Sequence, residues 1–213
     1  MVRARRTSGL PPELARRPFG VLRPLDAREV YANPGAEFRR LEERGVLHRV
    51  ATGYYAIVPS SATDRAWRPT VEAVAYGIGA CDYGPRAVLM GLSAARLHGA
   101  VPRALGVAVL AAPVNRRDVA LLDRDAHVVV VRRDTDRLDA ERLPTELGGA
   151  LVTTVEQTVL DLARRPATGG LPDEARAAVR GLWARTDART LEVIADRQRL
   201  RAALERARSW AEG

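Results

Sequence analysis

An α+β chain in two parts is what this sequence predicts, and three observations predict it. Residues 26 to 59 read helix, tight turn, basic helix and two-stranded β-ribbon, the order of a winged helix-turn-helix. Ser60-Ser61-Ala62-Thr63-Asp64 then has linker composition. Beyond it, buried-strand patterns stand among helical ones, which gives a mixed C-terminal domain with a small β-sheet and several helices. The domains expected are therefore 1–62 and 63–213. With 213 residues and 46% apolar content, the chain can fill two modest cores.

The elements follow in order. Arg3 to Arg6 form a basic arm, which either reaches phosphates or a minor groove or stays a solvated tail. Leu10 to Arg17 predicts a first helix with Pro11 or Pro12 in its opening turn. Asp26 followed by Glu29 is a capping-box start for a short helix, broken by Asn33-Pro34-Gly35, which also caps the next one. That next helix runs Ala36 to Arg44 and ends at Gly45. It turns Phe38 and Leu41 to one face and Arg39 and Arg40 to the other. Val46 to Ile57 alternates like a hairpin around Thr52-Gly53, the wing of such a motif. In the second part, Pro69 to Ala80 and Pro85 to His98 are helical patterns, the latter with Val88, Leu89, Leu92 and Ala95 as its core stripe and Gly99 as its cap. Val107 to Ala112 and His127 to Val131 are buried strands. Thr153 with Glu156, or Thr154 with Gln157, opens a further helix whose buried stripe is Val155, Val159 and Leu162. From Pro172 the pattern is helical to the end, about Asp173 to Ala184 and then Ala188 to Trp210, with a break inside the second stretch.

Charge points at a partner. All 34 basic residues are Arg, and the net charge is +8. Residues 1–68 carry 13 Arg against 7 acids, whereas residues 69–213 carry 21 Arg against 19 acids. The positive field therefore sits on the part with the helix-ribbon pattern, and neutralising phosphates is the main source of sequence-independent affinity for DNA. In a winged helix-turn-helix one helix enters the major groove and the ribbon lies on flanking phosphates. Arg39, Arg40 and Arg44 of the second helix and Arg49 of the ribbon are accordingly the DNA-binding candidates, with Arg28 touching the backbone. Of Tyr54 and Tyr55, one packs the ribbon onto the helices and the other faces out to donate to phosphate. Tyr54 is given that outward place. The bland alternative is a small α/β unit with a charged face.

Several chemistries lack their residues. Without lysine there is no P-loop lysine, no Schiff base and no kinase-type lysine. The single Cys81 has no cysteine partner and reads as a small buried apolar residue. His48, His98 and His127 lie in three elements without metal-ligand spacing, and His98, before its cap glycine, is expected to be a hydrogen-bonded structural residue. Asp123 with Asp125, and Asp134 with Asp136, could each hold Mg²⁺, but no Gly-Ser phosphate-binding turn occurs beside either. Ser93 and His98 are five apart on one helical pattern and point to different sides. No catalytic, cofactor-binding or metal-binding residue is assigned, and the chain is expected not to be an enzyme. No run of 18 apolar residues and no apolar leader after Met1 occur, so the expectation is a cytoplasmic protein without membrane contact.

Three stretches carry a resemblance. Leu92-Ser93-Ala94-Ala95-Arg96-Leu97-His98-Gly99 and Val152-Thr153-Thr154-Val155-Glu156-Gln157-Thr158-Val159-Leu160-Asp161-Leu162-Ala163-Arg164 resemble the two signature segments of AbiEi-type antitoxins. Arg44-Gly45-Val46-Leu47-His48-Arg49-Val50, leading to Gly53-Tyr54-Tyr55-Ala56, is similar to that family's recognition-helix end and wing. The similarity covers roughly Leu22 to Arg165. It implies an antitoxin of a type IV toxin-antitoxin system, of the kind associated with phage defence. Its winged helix would repress its own promoter by binding inverted repeats in double-stranded DNA, as a dimer on that DNA. Its second domain would counter a cognate nucleotidyltransferase toxin, with direct contact left open. Two departures stand out: Gln157 replaces a frequent Arg, and Glu42 and Glu43 interrupt the basic helix. Two alternatives remain, a nuclease-like C-terminal region and a stand-alone regulator. A nuclease would need clustered carboxylates, whereas Asp187, Glu192 and Asp196 are spread along helix faces.

Overall fold

A computed structural model describes residues 9–17, 19–62 and 67–212. The basic arm at residues 3–6 and the expected boundary at residue 63 lie outside the described residues. The described chain is a mixed α+β structure of two sheets and eight helices.

The N-terminal unit starts with α1 (Pro12–Ala15) and β1 (Val21–Leu22), passes a 3-10 turn at Pro24–Ala27, and continues with α2 (Pro34–Glu43), β2 (Leu47–Ala51) and β3 (Tyr54–Ile57). Asn33 caps α2 by accepting from the Ala36 N–H at 3.2 Å, with Pro34 in the first turn, where its missing N–H costs nothing. Gly45, at φ 69°, turns the chain out of the helix into β2. The three strands form an antiparallel sheet in the order β1-β3-β2. One face of it packs on α1 and α2 through Leu14, Leu22, Phe38, Leu41, Leu47 and Tyr55, with the Phe38 and Tyr55 rings edge-to-face at 5.2 Å.

One expectation fails here. The helix expected to start at Asp26 is a single 3-10 turn, in which Asp26 is the third residue and its carboxylate accepts from the Arg23 N–H at 3.0 Å. Ahead of Pro34 lies a stretch with only Val30 and Tyr31 partly buried against the core, too little apolar surface to hold several turns of helix.

The second unit comprises α3 (Val71–Tyr83), β4 (Val88–Leu89), α4 (Gly91–Leu97), β5 (Val107–Ala112), β6 (Val119–Ala120), β7 (His127–Arg132), β8 (Ala140–Thr145), β9 (Gly148–Thr153), α5 (Val155–Arg164), α6 (Pro172–Trp183), α7 (Ala188–Gln198) and α8 (Arg201–Glu212). Its six-stranded sheet has the order β6-β7-β5-β4-β9-β8, with β4 parallel to β9 and β5 parallel to β7. The central strand β5 is buried along its whole length, as its unbroken apolar run requires. Leu110 faces α3, and Val109 faces α4, whose Ser93 Oγ accepts from the Val109 N–H at 2.8 Å. On that second face, α4 to α8 build a core of their own around Leu92, Val159, Leu182, Ile194 and Leu204.

The segment expected as a helix from Pro85 to His98 is a 3-10 turn, a strand and a short helix. Val88 and Leu89 are β4, pairing with β5 and β9, not part of a helical stripe. Gly84 at φ 59° and Gly91 at φ 55° bracket it with turns that stop a helix from running through. The hairpin of β8 and β9 has no counterpart among the expected elements, so the sheet is larger than its two legible strands.

Both faces of the small sheet are covered. Val21, Val50, Tyr54 and Ala56 share one core with α3 and the inner face of the large sheet. The approach is close enough that a Cβ on Gly77 would sit 2.2 Å from Val21 Cγ2. Ala51 bridges to Leu121, and the Leu122 N–H donates to the Val50 carbonyl at 2.9 Å.

Candidate nucleic-acid interface

The arginines of α2 point to solvent. Arg39, Arg40 and Arg44 are exposed, and so are Arg28 in the turn before α2 and Arg49 on β2. Arg40 lies 3.3 Å from Glu37 and Arg44 lies 4.0 Å from it, while the Arg39 Nε donates to the Gly35 carbonyl at 3.3 Å. Pairs this exposed contribute little to stability, so these guanidinium groups are available to another partner at small cost. Strand alternation puts Arg49 opposite Tyr55 in register, on the face of the small sheet that carries α2. Helix and ribbon thus present arginines on one side of the N-terminal unit, with Glu43 exposed among them.

Tyr54 is placed differently from its expected outward position. It is 7% exposed, its hydroxyl donates to Asp82 Oδ2 at 2.6 Å, and Arg116 Nη2 donates to that hydroxyl at 3.0 Å. Arg116 also pairs with Asp82 and lies over the Tyr54 ring, and Arg23 reaches the other Asp82 oxygen at 2.8 Å. Burial, with Asp82 adding to it, pushes the Tyr54 hydroxyl up to about 12. Tyr55 is buried as well, so neither tyrosine faces out. The physical reason is that the ribbon is covered on its far side by the second unit, leaving no solvent face for the alternate residue.

The seam between the units is polar at two further points. His48 Nε2 lies 2.7 Å from Asp123 Oδ2, and Arg124 also donates to Asp123. Burial works against the charge on Asp123, yet the hydrogen bonds from Arg124 and His48 hold it below the ordinary carboxylate range. Arg23, Asp82 and Arg116, which close the Tyr54 cluster, carry no sequence signal, because they converge only when β3 docks on α3.

The chemistry considered for the second unit is dispersed. The His98 Nε2 hydrogen-bonds the Thr153 carbonyl at 2.8 Å, as expected of a structural histidine, while Ser93 is turned to β5. His127 is exposed. Cys81 is half-buried, its thiol donating to the Val21 carbonyl at 3.3 Å and pushed up to about 12 by burial. Asp187 caps α7 through the Thr190 N–H, and Asp196 pairs with Arg201. Among the described residues no three His, Cys, Asp or Glu side chains cluster as metal ligands, and no helix is long and apolar enough to cross a membrane.

Neither known protein families nor curated proteins yield a match to this chain. Among solved structures it is similar to the crystal structure of the RV2827C protein from Mycobacterium tuberculosis, at 20% identity and a TM-score of 0.58, over 93% of this chain and 73% of that one. At that identity the likeness concerns the fold alone.

Proposed function

We propose that this protein is a DNA-binding antitoxin of the AbiEi kind, which represses its own promoter and counters a nucleotidyltransferase toxin. On this reading α2 and the β2-β3 ribbon are the recognition helix and wing of a winged helix-turn-helix, whose first helix is reduced to the 3-10 turn at Pro24–Ala27. The observation that carries it is the set of solvent-facing arginines, Arg39, Arg40 and Arg44 on α2 with Arg49 on the same side of the sheet, in the part of the chain with the larger excess of positive charge. The resemblance in residues 92–99 and 152–164 supports the antitoxin half of the reading.

The test is direct. Purified protein is expected to bind double-stranded DNA from upstream of its own gene, with an affinity that falls steeply as salt rises through counterion release. Replacing Arg39 and Arg40 by Ala should abolish this, each base-edge contact being worth about 1–3 kcal/mol, while leaving the melting temperature and toxin neutralisation unchanged. Neutralisation lost together with DNA binding would refute the division of labour between the units.

A further inference from the structure

On the face of the large sheet away from the N-terminal unit, the ends of β7 and α5 meet the 165–170 loop around a cavity of about 80 Å³. A wider open hollow of about 570 Å³ adjoins it, and the two share Val131, Arg132, Arg165 and Thr168. Four arginines line the smaller cavity, Arg132 and Arg133 at the end of β7 and Arg164 and Arg165 at the end of α5. Register, however, turns the Arg132 side chain to the opposite face of the sheet, with Val128 and Val130.

One carboxylate stands among them. Asp161 is fully buried, and its Oδ1 accepts from Arg133 Nη1 at 2.7 Å, while its Oδ2 accepts no hydrogen bond. That pair neutralises one arginine only. Arg132, Arg164 and Arg165 form no ion pair among the described residues. Burial, together with the neighbouring Arg133 and Arg165 charges, lowers the basicity of Arg164, so three like charges are held close around the single Asp161 carboxylate. Crowding of this kind is relieved by an anion, and guanidinium forks match the oxygens of a phosphate.

We propose that this cavity binds a phosphorylated small molecule of nucleotide size. The phosphate is held by Arg164 and Arg165, and a ligand hydroxyl supplies the donor that Asp161 lacks. The body of the ligand lies in the wider hollow over Val129 and Val131, whose volume is within the range of small-molecule sites. A recess of about 80 Å³ takes one terminal phosphate group rather than the continuous backbone of a duplex. The site is independent of the α2 surface, because the large sheet separates the two.

Calorimetric titration of the full chain with ADP, and with inorganic pyrophosphate as a probe without a nucleoside, tests this. ADP should bind saturably and more tightly than pyrophosphate. In the R164A/R165A variant, whose altered side chains are exposed, ADP affinity should fall by roughly tenfold or more with an unchanged melting temperature. The single R165E change, which reverses one charge without touching the Arg133–Asp161 pair, serves as the second variant and should give a loss of the same sign. Absence of saturation by ADP at millimolar concentration, ADP binding no tighter than pyrophosphate, or unaltered ADP affinity in these variants would overturn the proposal. Promoter DNA affinity should be unaffected by R164A/R165A, so this site and the α2 surface can fail separately.

Discussion

Tyr54 shows how much one side chain's surroundings decide. Its ring and hydroxyl are spent on holding the ribbon to α3 through Asp82 and Arg116, whereas Arg49, one strand away, faces solvent. Tyr54→Phe removes two hydrogen bonds, one donated to Asp82 and one accepted from Arg116, and leaves Asp82 still paired with Arg23 and Arg116. The expected loss is about 1–2 kcal/mol, read as a lower urea midpoint with unchanged DNA affinity. A fall in DNA affinity at full stability would instead return Tyr54 to the proposed DNA-binding surface. Asp123 gives a pH dependence whose sign follows from its environment. Because its folded-state value lies below that of the unfolded chain, its pairing with Arg124 and His48 stabilises the fold above about pH 4 and is lost as pH falls further. Stability measured in urea from pH 7 downward should therefore drop across the acid range, and by less in Asp123→Asn, which is already weakened at pH 7.

At the scale of elements, local chemistry was a good guide to α2 and α5, each with a cap and an apolar stripe, but the stripe and cap glycine over Pro85 to His98 did not make one helix. α2 has Asn33 and Phe38 with Leu41, and α5 has Thr154 with Val159 and Leu162; both lie where the sequence puts them. β5 was equally legible, because six consecutive apolar residues fit a strand buried on both faces. The two-residue strand β4 was not, since Val88 and Leu89 at their spacing from Leu92 and Ala95 also fit a helix, and only pairing with β5 and β9 selects the extended form. The break expected in the last helical stretch falls at Arg199, which takes a left-handed conformation at φ 58° between α7 and α8. A side chain there costs about 1–2 kcal/mol, partly offset by the greater freedom glycine has in the unfolded chain. Arg199→Gly should thus raise stability by about 0.5–1 kcal/mol, seen as a higher melting temperature; a lower one would mean that the Arg199 side chain makes contacts worth more than the strain.

For the whole molecule, the core running from Val21 and Tyr54 through α3 to Leu110 and Val128 makes the two units one packed body across the expected boundary. Urea unfolding should accordingly be a single transition, with tyrosine and tryptophan fluorescence and far-ultraviolet circular dichroism coinciding. Two separated midpoints would show that the units fold independently. By itself, the sequence determined helices such as α2, α5 and α6, the β2-β3 hairpin, the strands of unbroken apolar character and the excess of arginine toward the N-terminus, because capping, periodicity and charge act over a few residues. Only tertiary structure decided which strands pair, that Tyr54 is buried, and that arginines from β7 and α5 meet around Asp161. Those outcomes depend on contacts between residues tens of positions apart, whose free energy exists only once the chain has packed.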